Sequence, residues 1–125
     1  MRENDIAREV VDASYRIHTT LGPGLLESVY EETLAHELDQ VGLKYSRQKG
    51  FPVEYNSVTM ELGFRADLII ENKVIIEIKS IDVIAPVHKK QLLTYLRLTG
   101  LKLGLLINFN EALIKHGITR LVNNL

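Results

Sequence analysis

The sequence predicts an α/β fold in which a mixed β-sheet is flanked by helices. Two amphipathic helical stretches open the 125-residue chain, strand-like segments around an apolar hairpin follow, and one more helix precedes a continuous apolar run. The predicted order is therefore α-α-β-β-β-α-β. At this length we expect one domain spanning residues 1–125.

The first helix is predicted over residues 4–20, because apolar side chains recur there every three or four residues. The stripe consists of Ile6, Val10, Ala13, Ile17 and Leu21. Asn4 or Asp5 can cap the start, and the run of Gly and Pro in residues 21–24 ends the helix. His18 lies just before this break, either as a capping or packing residue or as a residue that touches a functional site.

The second helix, predicted over residues 25–41, carries a carboxylate on its apolar stripe. With about 100° per residue, Glu27 falls in the middle of this stripe. The other members are Tyr30, Leu34, Leu38 and Val41. Because an unpaired buried carboxylate is costly, we expect Glu27 to face the hairpin, either paired with Lys79 or Arg65 or within an acidic cluster. Glu31, near the edge of the stripe, is the competing candidate.

Two strand-like segments follow, at residues 45–55 and 58–62. Pro52 lacks a backbone N–H, so it predicts an edge strand or a bulge. Gly63 is expected to mark a bend where the second segment leads into the hairpin.

The hairpin itself is predicted where two arms rich in β-branched residues flank a polar tripeptide centred on Asn72. This centring pairs Asp67 with Glu77 and Arg65 with Lys79. Alternation along the strands then places these four charged residues on one face of the sheet. The other face is expected to carry Ala66, Leu68, Ile70, Val74, Ile76 and Ile78.

Two carboxylates directly opposed on an apolar hairpin repel each other and require a compensating cation. Lys79 and Arg65 could supply the charge, which would make the hairpin a mixed-charge ladder with only a structural role. A hard divalent metal ion could also supply it, since Mg²⁺ is usually held by one or two carboxylates plus waters and phosphate oxygens. The pattern alone leaves both interpretations open.

The C-terminal part predicts a third helix over residues 86–99 and a doubly covered strand over residues 102–109. Gln91 is expected to be a polar residue on the core-facing stripe of that helix, either bonded to the backbone or in contact with the site. The stripe is formed with Val87, Thr94, Tyr95 and Leu98. Residues 114–122 fit an edge strand or a helix equally well.

Composition limits the function classes. No apolar run approaches the roughly 20 residues of a membrane span, and the chain has no cysteine for disulfides or thiolate zinc sites, which fits a cytoplasmic protein. The net charge of −1 counts against a nucleic-acid binder, which usually has a basic patch. Local basic clusters are nevertheless present at residues 44–49 and 88–90.

Asp67 followed by Glu77-Ile78-Lys79 resembles the active-site signature of the PD-(D/E)XK nuclease superfamily. The stretch Gly24-Leu25-Leu26-Glu27-Ser28-Val29-Tyr30 resembles the motif of the GxxExxY protein family, a small branch of that superfamily. The resemblance continues in order through Phe64-Arg65-Ala66, Pro86-Val87-His88, Gln91-Leu92-Leu93-Thr94-Tyr95-Leu96 and Leu105-Leu106-Ile107-Asn108-Phe109. Ala66 departs from the signature, which has proline there.

This resemblance implies a restriction-endonuclease-like core and a Mg²⁺-dependent nuclease, with Mn²⁺ as a substitute, acting on DNA more than on RNA. The implied metal ligands are Asp67, Glu77, the Ile78 carbonyl and Glu27. Lys79 would act on the attacking water, and Gln91 would position the site with Tyr95 as support. Arg65 would contact phosphate or pair with a carboxylate. The alternative is a catalytically weak or inactive module of the same fold that binds nucleic acid or a protein partner. A homodimer is also plausible, because so small a domain offers little surface to a duplex.

Overall fold

The computed structural model describes all residues from 1 to 125. Its elements are α1 (Glu3–Leu21), α2 (Glu27–Gln40), β1 (Tyr45–Tyr55), β2 (Val58–Ile70), β3 (Val74–Lys79), α3 (Pro86–Thr99), β4 (Leu103–Asn108), a 3-10 turn (Ile114–His116) and β5 (Ile118–Val122). This order confirms the predicted succession of helices and strands. The undecided tail contains both a single helical turn and a strand.

The five strands form one mixed sheet in the order β1-β2-β3-β4-β5. All neighbours are antiparallel except β3 and β4, which are parallel. A parallel pair needs a long crossover connection, and α3 provides it. The predicted α/β class with a mixed sheet is therefore confirmed.

Helices cover both faces of the sheet. α1 and α2 pack on one face, and the larger apolar cluster there includes Leu68, Ile76 and Ile78. α3 packs on the other face through Leu92 and Leu96. Because β3 and β4 are covered on both sides, their sequences are nearly continuous apolar runs. None of the three helices is both long and apolar enough to cross a lipid bilayer.

α1 begins slightly earlier than predicted. Its first residue is Glu3, and neither Asn4 nor Asp5 occupies the cap position. The Asp5 carboxylate instead reaches back from the first turn and accepts a hydrogen bond from the Arg2 backbone N–H at 3.1 Å. This bond satisfies a donor at the helix start from within the helix.

The hairpin turn is where the sequence places it. Leu68 pairs with Ile76 and Ile70 pairs with Val74, which centres the turn on Asn72. Glu71 and Asn72 both have a positive φ, as tight hairpin turns require.

Two expectations about the hairpin are wrong. The β2–β3 ladder ends at Leu68 and Ile76, so it contains neither the predicted pair Asp67–Glu77 nor the predicted pair Arg65–Lys79. Ala66 is buried with the cluster under α3, whereas Leu68 belongs to the cluster under α1 and α2. The physical reason is that β2 leaves β3 at this point and continues as a long two-stranded arm with β1, and the alternation of its side chains is interrupted there.

The arm has the irregularity that Pro52 and Gly63 predict. β1 is an edge strand, and its register with β2 shifts between Phe51 and Val53, on either side of Pro52. Gly63 lies opposite, and a Cβ there would collide with the Val53 side chain. Pro52, which lacks an N–H donor, and Gly63, which lacks a side chain, thus lie at the same bulge.

Candidate active site

Asp67 and Glu77 lie where β2 and β3 separate, and each carboxylate accepts a backbone N–H from the other strand. The Asp67 N–H donates to Glu77 Oε2 at 2.8 Å, and the Ile78 N–H donates to Asp67 Oδ2 at 2.8 Å. These two bonds continue the connection between the strands after the ladder has ended. They hold both carboxylates where the two strands separate, and they leave Glu77 Oε1 without a backbone donor.

No positively charged side chain forms a salt bridge with Asp67 or Glu77. Burial, followed by the neighbouring Asp67 charge, raises the pKa of Glu77 to about 7. Burial also raises the pKa of Asp67, against the lowering effect of the hydrogen bonds from Ile78 and Gln48. Lys79 lowers the pKa of both acids but forms no salt bridge with either. At neutral pH the site therefore favours a proton or another cation.

Arg65 does not compensate this charge. It is exposed and forms no ion pair with Asp67 or Glu77. Without the Arg65–Lys79 pair, the hairpin does not form the mixed-charge ladder that was one interpretation of the sequence.

Glu27 is exposed, so its expected place in the buried stripe of α2 is wrong. It is the first residue of α2, and the buried residues of this helix begin only at Tyr30. Its carboxylate accepts the Ser80 N–H at 3.1 Å, directly after Lys79 at the end of β3. Its charge also contributes to the raised pKa of Glu77, which places Glu27 within electrostatic range of the acid pair.

Glu31, the competing candidate, is the buried carboxylate of α2. Arg47 donates to its Oε2 through Nε at 3.0 Å and Nη2 at 2.9 Å, and Gln48 donates to its Oε1 at 2.6 Å. Arg47 also pairs with Glu32 at 2.7 Å. Glu31 is thus held by a cation from β1 and is fully hydrogen-bonded.

Tyr30 closes the loop between α1 and α2, a role that sequence reasoning missed. Its hydroxyl donates to the Gly22 carbonyl at 2.6 Å and accepts the Leu25 N–H at 3.2 Å. Its ring stacks on Phe109 with centroids 4.4 Å apart. The spacing of Gly24, Glu27 and Tyr30 therefore has a structural meaning, since Tyr30 fixes the loop from which Glu27 reaches the end of β3.

Ser80 ties the same loop to the sheet. Its hydroxyl donates to the Leu25 carbonyl at 2.6 Å, and its N–H is the group that Glu27 binds. Sequence reasoning gave Ser80 no role, because a lone serine after a strand carries no distinctive signal.

On α3, Gln91 is exposed, so its expected core-facing position is wrong. Only Leu92 and Leu96 of this helix are buried against the sheet, whereas Val87 and Leu98 of the predicted stripe are exposed. Tyr95 is half-buried and stacks on Phe64 with centroids 4.2 Å apart. Burial and the charges of the two acids raise the pKa of Tyr95, and a hydrogen bond from Gln91 lowers it. Both side chains thus lie beside the acid pair on the α3 side.

The structure places His18 at the end of α1, in contact with the turn after β4. Its Nε2 lies 2.8 Å from the Glu111 carbonyl oxygen, in the turn after β4. This bond connects the end of α1 to that turn.

A cleft of about 450 Å³ opens beside Asp67 on the α2 side of the sheet. Its lining consists of Glu27, Ser28, Glu31, Gln48, Asp67 and Ile78. A larger cleft of about 600 Å³ lies between α1 and α2 and includes none of the acids of the hairpin. We take the cleft beside Asp67 as the candidate site, because it is lined by a carboxylate with a raised pKa, Asp67, together with Glu27 and Ile78.

The donor set at the hairpin suits a hard cation. Carboxylate and carbonyl oxygens are the ligands that Mg²⁺ prefers, and Mg²⁺ usually takes only one or two carboxylates and keeps several waters. The structure contains no group of three or more His, Asp or Glu side chains placed to hold one ion. Asp67 and Glu77, with raised pKa values and no paired cation, fit a metal of this kind with most of its shell supplied by water or substrate.

The mixed sheet with helices on both faces is a restriction-endonuclease-like fold. A family model for the PD-(D/E)XK nuclease superfamily matches residues 4–121, and the chain belongs to this superfamily. Membership suggests nuclease activity and implies a nucleic-acid substrate, and the nucleases of this superfamily generally depend on divalent metal ions. Searches among curated proteins and among solved structures each gave no match.

Proposed function

We propose that the protein is a Mg²⁺-dependent nuclease that hydrolyses phosphodiester bonds, in DNA rather than RNA, through one domain spanning residues 1–125. The observation that carries the proposal is the pair Asp67 and Glu77. Two carboxylates are fixed at one point, one of them with a pKa of about 7, and no protein cation is paired with them. Membership of the PD-(D/E)XK nuclease superfamily supports the same assignment.

In this proposal Asp67, Glu77 and the Ile78 carbonyl hold the metal ion. Bound Mg²⁺ would supply positive charge to the phosphate and lower the pKa of a bound water. Asp67 and Glu77 are pre-positioned for this role by their bonds to the opposite strands. Glu27 adds negative charge at the edge of the site, either as a further ligand or through metal-bound waters.

Lys79 follows Glu77 by two residues and orients the attacking water or stabilises charge on the phosphate. Its charge already acts on both acids. Tyr95 and Gln91 limit the site from the α3 side, and the exposed Arg65 contacts the substrate backbone. The motif from Gly24 to Tyr30 supports assignment to the GxxExxY branch, in which the loop closed by Tyr30 delivers Glu27.

The alternative is a catalytically weak or inactive module that binds nucleic acid or a protein partner. The net charge of −1 favours the form that binds a protein partner, because phosphate binding usually depends on a basic surface. The two proposals differ in turnover, and the assay must therefore measure binding and cleavage separately.

The test uses labelled single- and double-stranded DNA and RNA with wild type and Asp67→Asn, in Mg²⁺, in Mn²⁺ and in EDTA. Cleavage that requires metal and is lost in the variant would support the nuclease, and the cleaved substrate would identify its class. Binding without cleavage would support the module. A homodimer, which we propose as the form that binds a duplex, would be detected by sedimentation of the same samples.

A further inference from the structure

Gln48 has a backbone conformation that is unusual for its residue type. Its φ is +50°, in the left-handed region, although it lies within β1. Outside glycine, this region is visited mainly by Asn and Asp, and it costs other residues roughly 1 kcal/mol or more. Such a conformation persists only where the surroundings impose it, and it is a reason to look for a function.

The conformation interrupts the sheet at one rung. Arg47 pairs with Leu68 and Lys49 pairs with Ala66, but the pair between them, Gln48 and Asp67, is absent from the ladder. The irregular residue of β1 thus lies opposite the acid of β2 at the place where the alternation of β2 is also interrupted.

The interruption changes where two neighbouring side chains point. Consecutive residues of a regular strand point to opposite faces of the sheet. Arg47 and Gln48 nevertheless both donate to the same carboxylate of Glu31 on α2. The left-handed backbone therefore brings Gln48 to the face that its neighbour already occupies.

There the Gln48 amide joins two acids. Its Nε2 donates to Glu31 Oε1 at 2.6 Å and to Asp67 Oδ1 at 3.2 Å, and the amide group has two N–H donors for these two bonds. Glu31 is itself fixed by Arg47. A connected chain of bonds thus runs from Arg47 to Asp67 and separates two negative charges with an amide donor.

We propose that Gln48 is a positioning residue that holds the Asp67 carboxylate in the orientation that receives the cation. With Oδ2 bound by the Ile78 N–H and Oδ1 directed by Gln48, rotation of the Asp67 carboxylate is restricted from both sides. This inference rests on the proposed metal-dependent function. It adds a residue of β1 that the signature of the superfamily does not include.

The test compares wild type with Gln48→Ala, Gln48→Asn and Gln48→Gly by calorimetric titration with Mn²⁺. Asn and Gly accept the left-handed backbone more easily than Gln, but the shorter Asn does not bridge both acids and Gly has no side chain. We expect all three variants to remain folded by circular dichroism and to bind Mn²⁺ about tenfold more weakly, as is typical when a residue that orients a metal ligand is removed. Gln40→Ala, at an exposed glutamine of α2, and Asn56→Gly, at another residue with φ of +50°, are the matched controls and should bind as wild type does.

A spectroscopic measurement separates positioning of Asp67 from a link to Glu31 alone. The side-chain amide protons of Gln48 should shift in NMR spectra of Asp67→Asn and again when Mg²⁺ is added to wild type. Unchanged Mn²⁺ affinity in the folded Gln48 variants, or a Gln48 amide that does not respond to Asp67→Asn, would overturn the inference while leaving the nuclease proposal standing. Wild-type protein that binds no Mn²⁺ and cleaves no nucleic acid would overturn both.

Discussion

The N–H of Asp67 donates to the carboxylate of Glu77 at 2.8 Å, so the residue that carries one acid also fixes the other. In turn, the Ile78 N–H donates to the carboxylate of Asp67. This reciprocal arrangement holds two like charges together at the end of a ladder and depends on main-chain donors that substitution of side chains does not remove. Neutral substitutions of either acid therefore probe charge with little change in shape.

The first prediction concerns the pH dependence of stability. Because the pKa of Glu77 in the folded protein is about 7, above its ordinary value of 4.5, the folded state binds this proton more tightly than the unfolded chain. Its contribution is complete below about pH 4.5 and is lost as the pH rises through 7; for a shift of this size it amounts to about 3 kcal/mol. The raised pKa of Asp67 acts in the same direction.

Glu77→Gln should accordingly be more stable than wild type at pH 8 in EDTA, by roughly 1–3 kcal/mol, and should lose this advantage near pH 4.5. Urea unfolding across this pH range measures the effect. Saturating Mg²⁺ should stabilise wild type at pH 8 and leave the variant unchanged. A wild-type protein with the same pH slope as Glu77→Gln would contradict the explanation.

The second prediction separates the two carboxylates of α2. Glu27→Gln retains an oxygen for the Ser80 N–H, so it should lower nuclease activity while changing the free energy of unfolding by less than about 0.5 kcal/mol, as surface substitutions usually do. Glu31→Gln leaves Arg47 without its buried partner and should cost about 1–3 kcal/mol. Urea unfolding and single-turnover cleavage of both variants measure these effects. Loss of activity in Glu31→Gln with unchanged activity in Glu27→Gln would make Glu31 the acid of the site.

The third prediction concerns the loop before α2. Tyr30→Phe keeps the stack on Phe109 but removes the hydroxyl bonds to Gly22 and Leu25, and should destabilise the fold by about 1–2 kcal/mol. Tyr55→Phe is the matched control, because Tyr55 is 70% exposed. Equal unfolding free energies for the two variants would show that the Tyr30 hydroxyl does not hold the loop.

The hairpin could be predicted from the sequence because its information is local. The polar tripeptide around Asn72 fixes the turn, and the turn fixes the register down to Leu68 and Ile76. The expected faces of Glu27 and Gln91 were wrong for different reasons. A helical wheel gives the direction of a side chain but does not show whether another element covers it, and the buried residues of α2 begin only at Tyr30. On α3 the stripe that faces the sheet is the one through Leu92 and Leu96, and the stripe that contains Gln91 is exposed at Val87 and Leu98.

Gln48 lies beyond sequence reasoning for a different reason. Glycine, asparagine or aspartate at this position would have indicated a left-handed residue within a strand, whereas glutamine does not. Its side chain is bonded to partners on α2 and β2, which are 17 and 19 residues away in the chain. Tertiary contacts of this kind appear only when the elements are assembled.

Single-turnover cleavage of labelled DNA in Mg²⁺ by wild type, Lys79→Ala and Lys115→Ala tests the central claim most directly. Lys115 is an exposed lysine on the 3-10 turn and serves as the matched control. We expect wild type and Lys115→Ala to cleave at the same rate, and Lys79→Ala to bind DNA but cleave at least about 100-fold more slowly, as loss of a group that acts in the transition state implies. Cleavage by Lys79→Ala at the wild-type rate would contradict the claim that this hairpin is the active site.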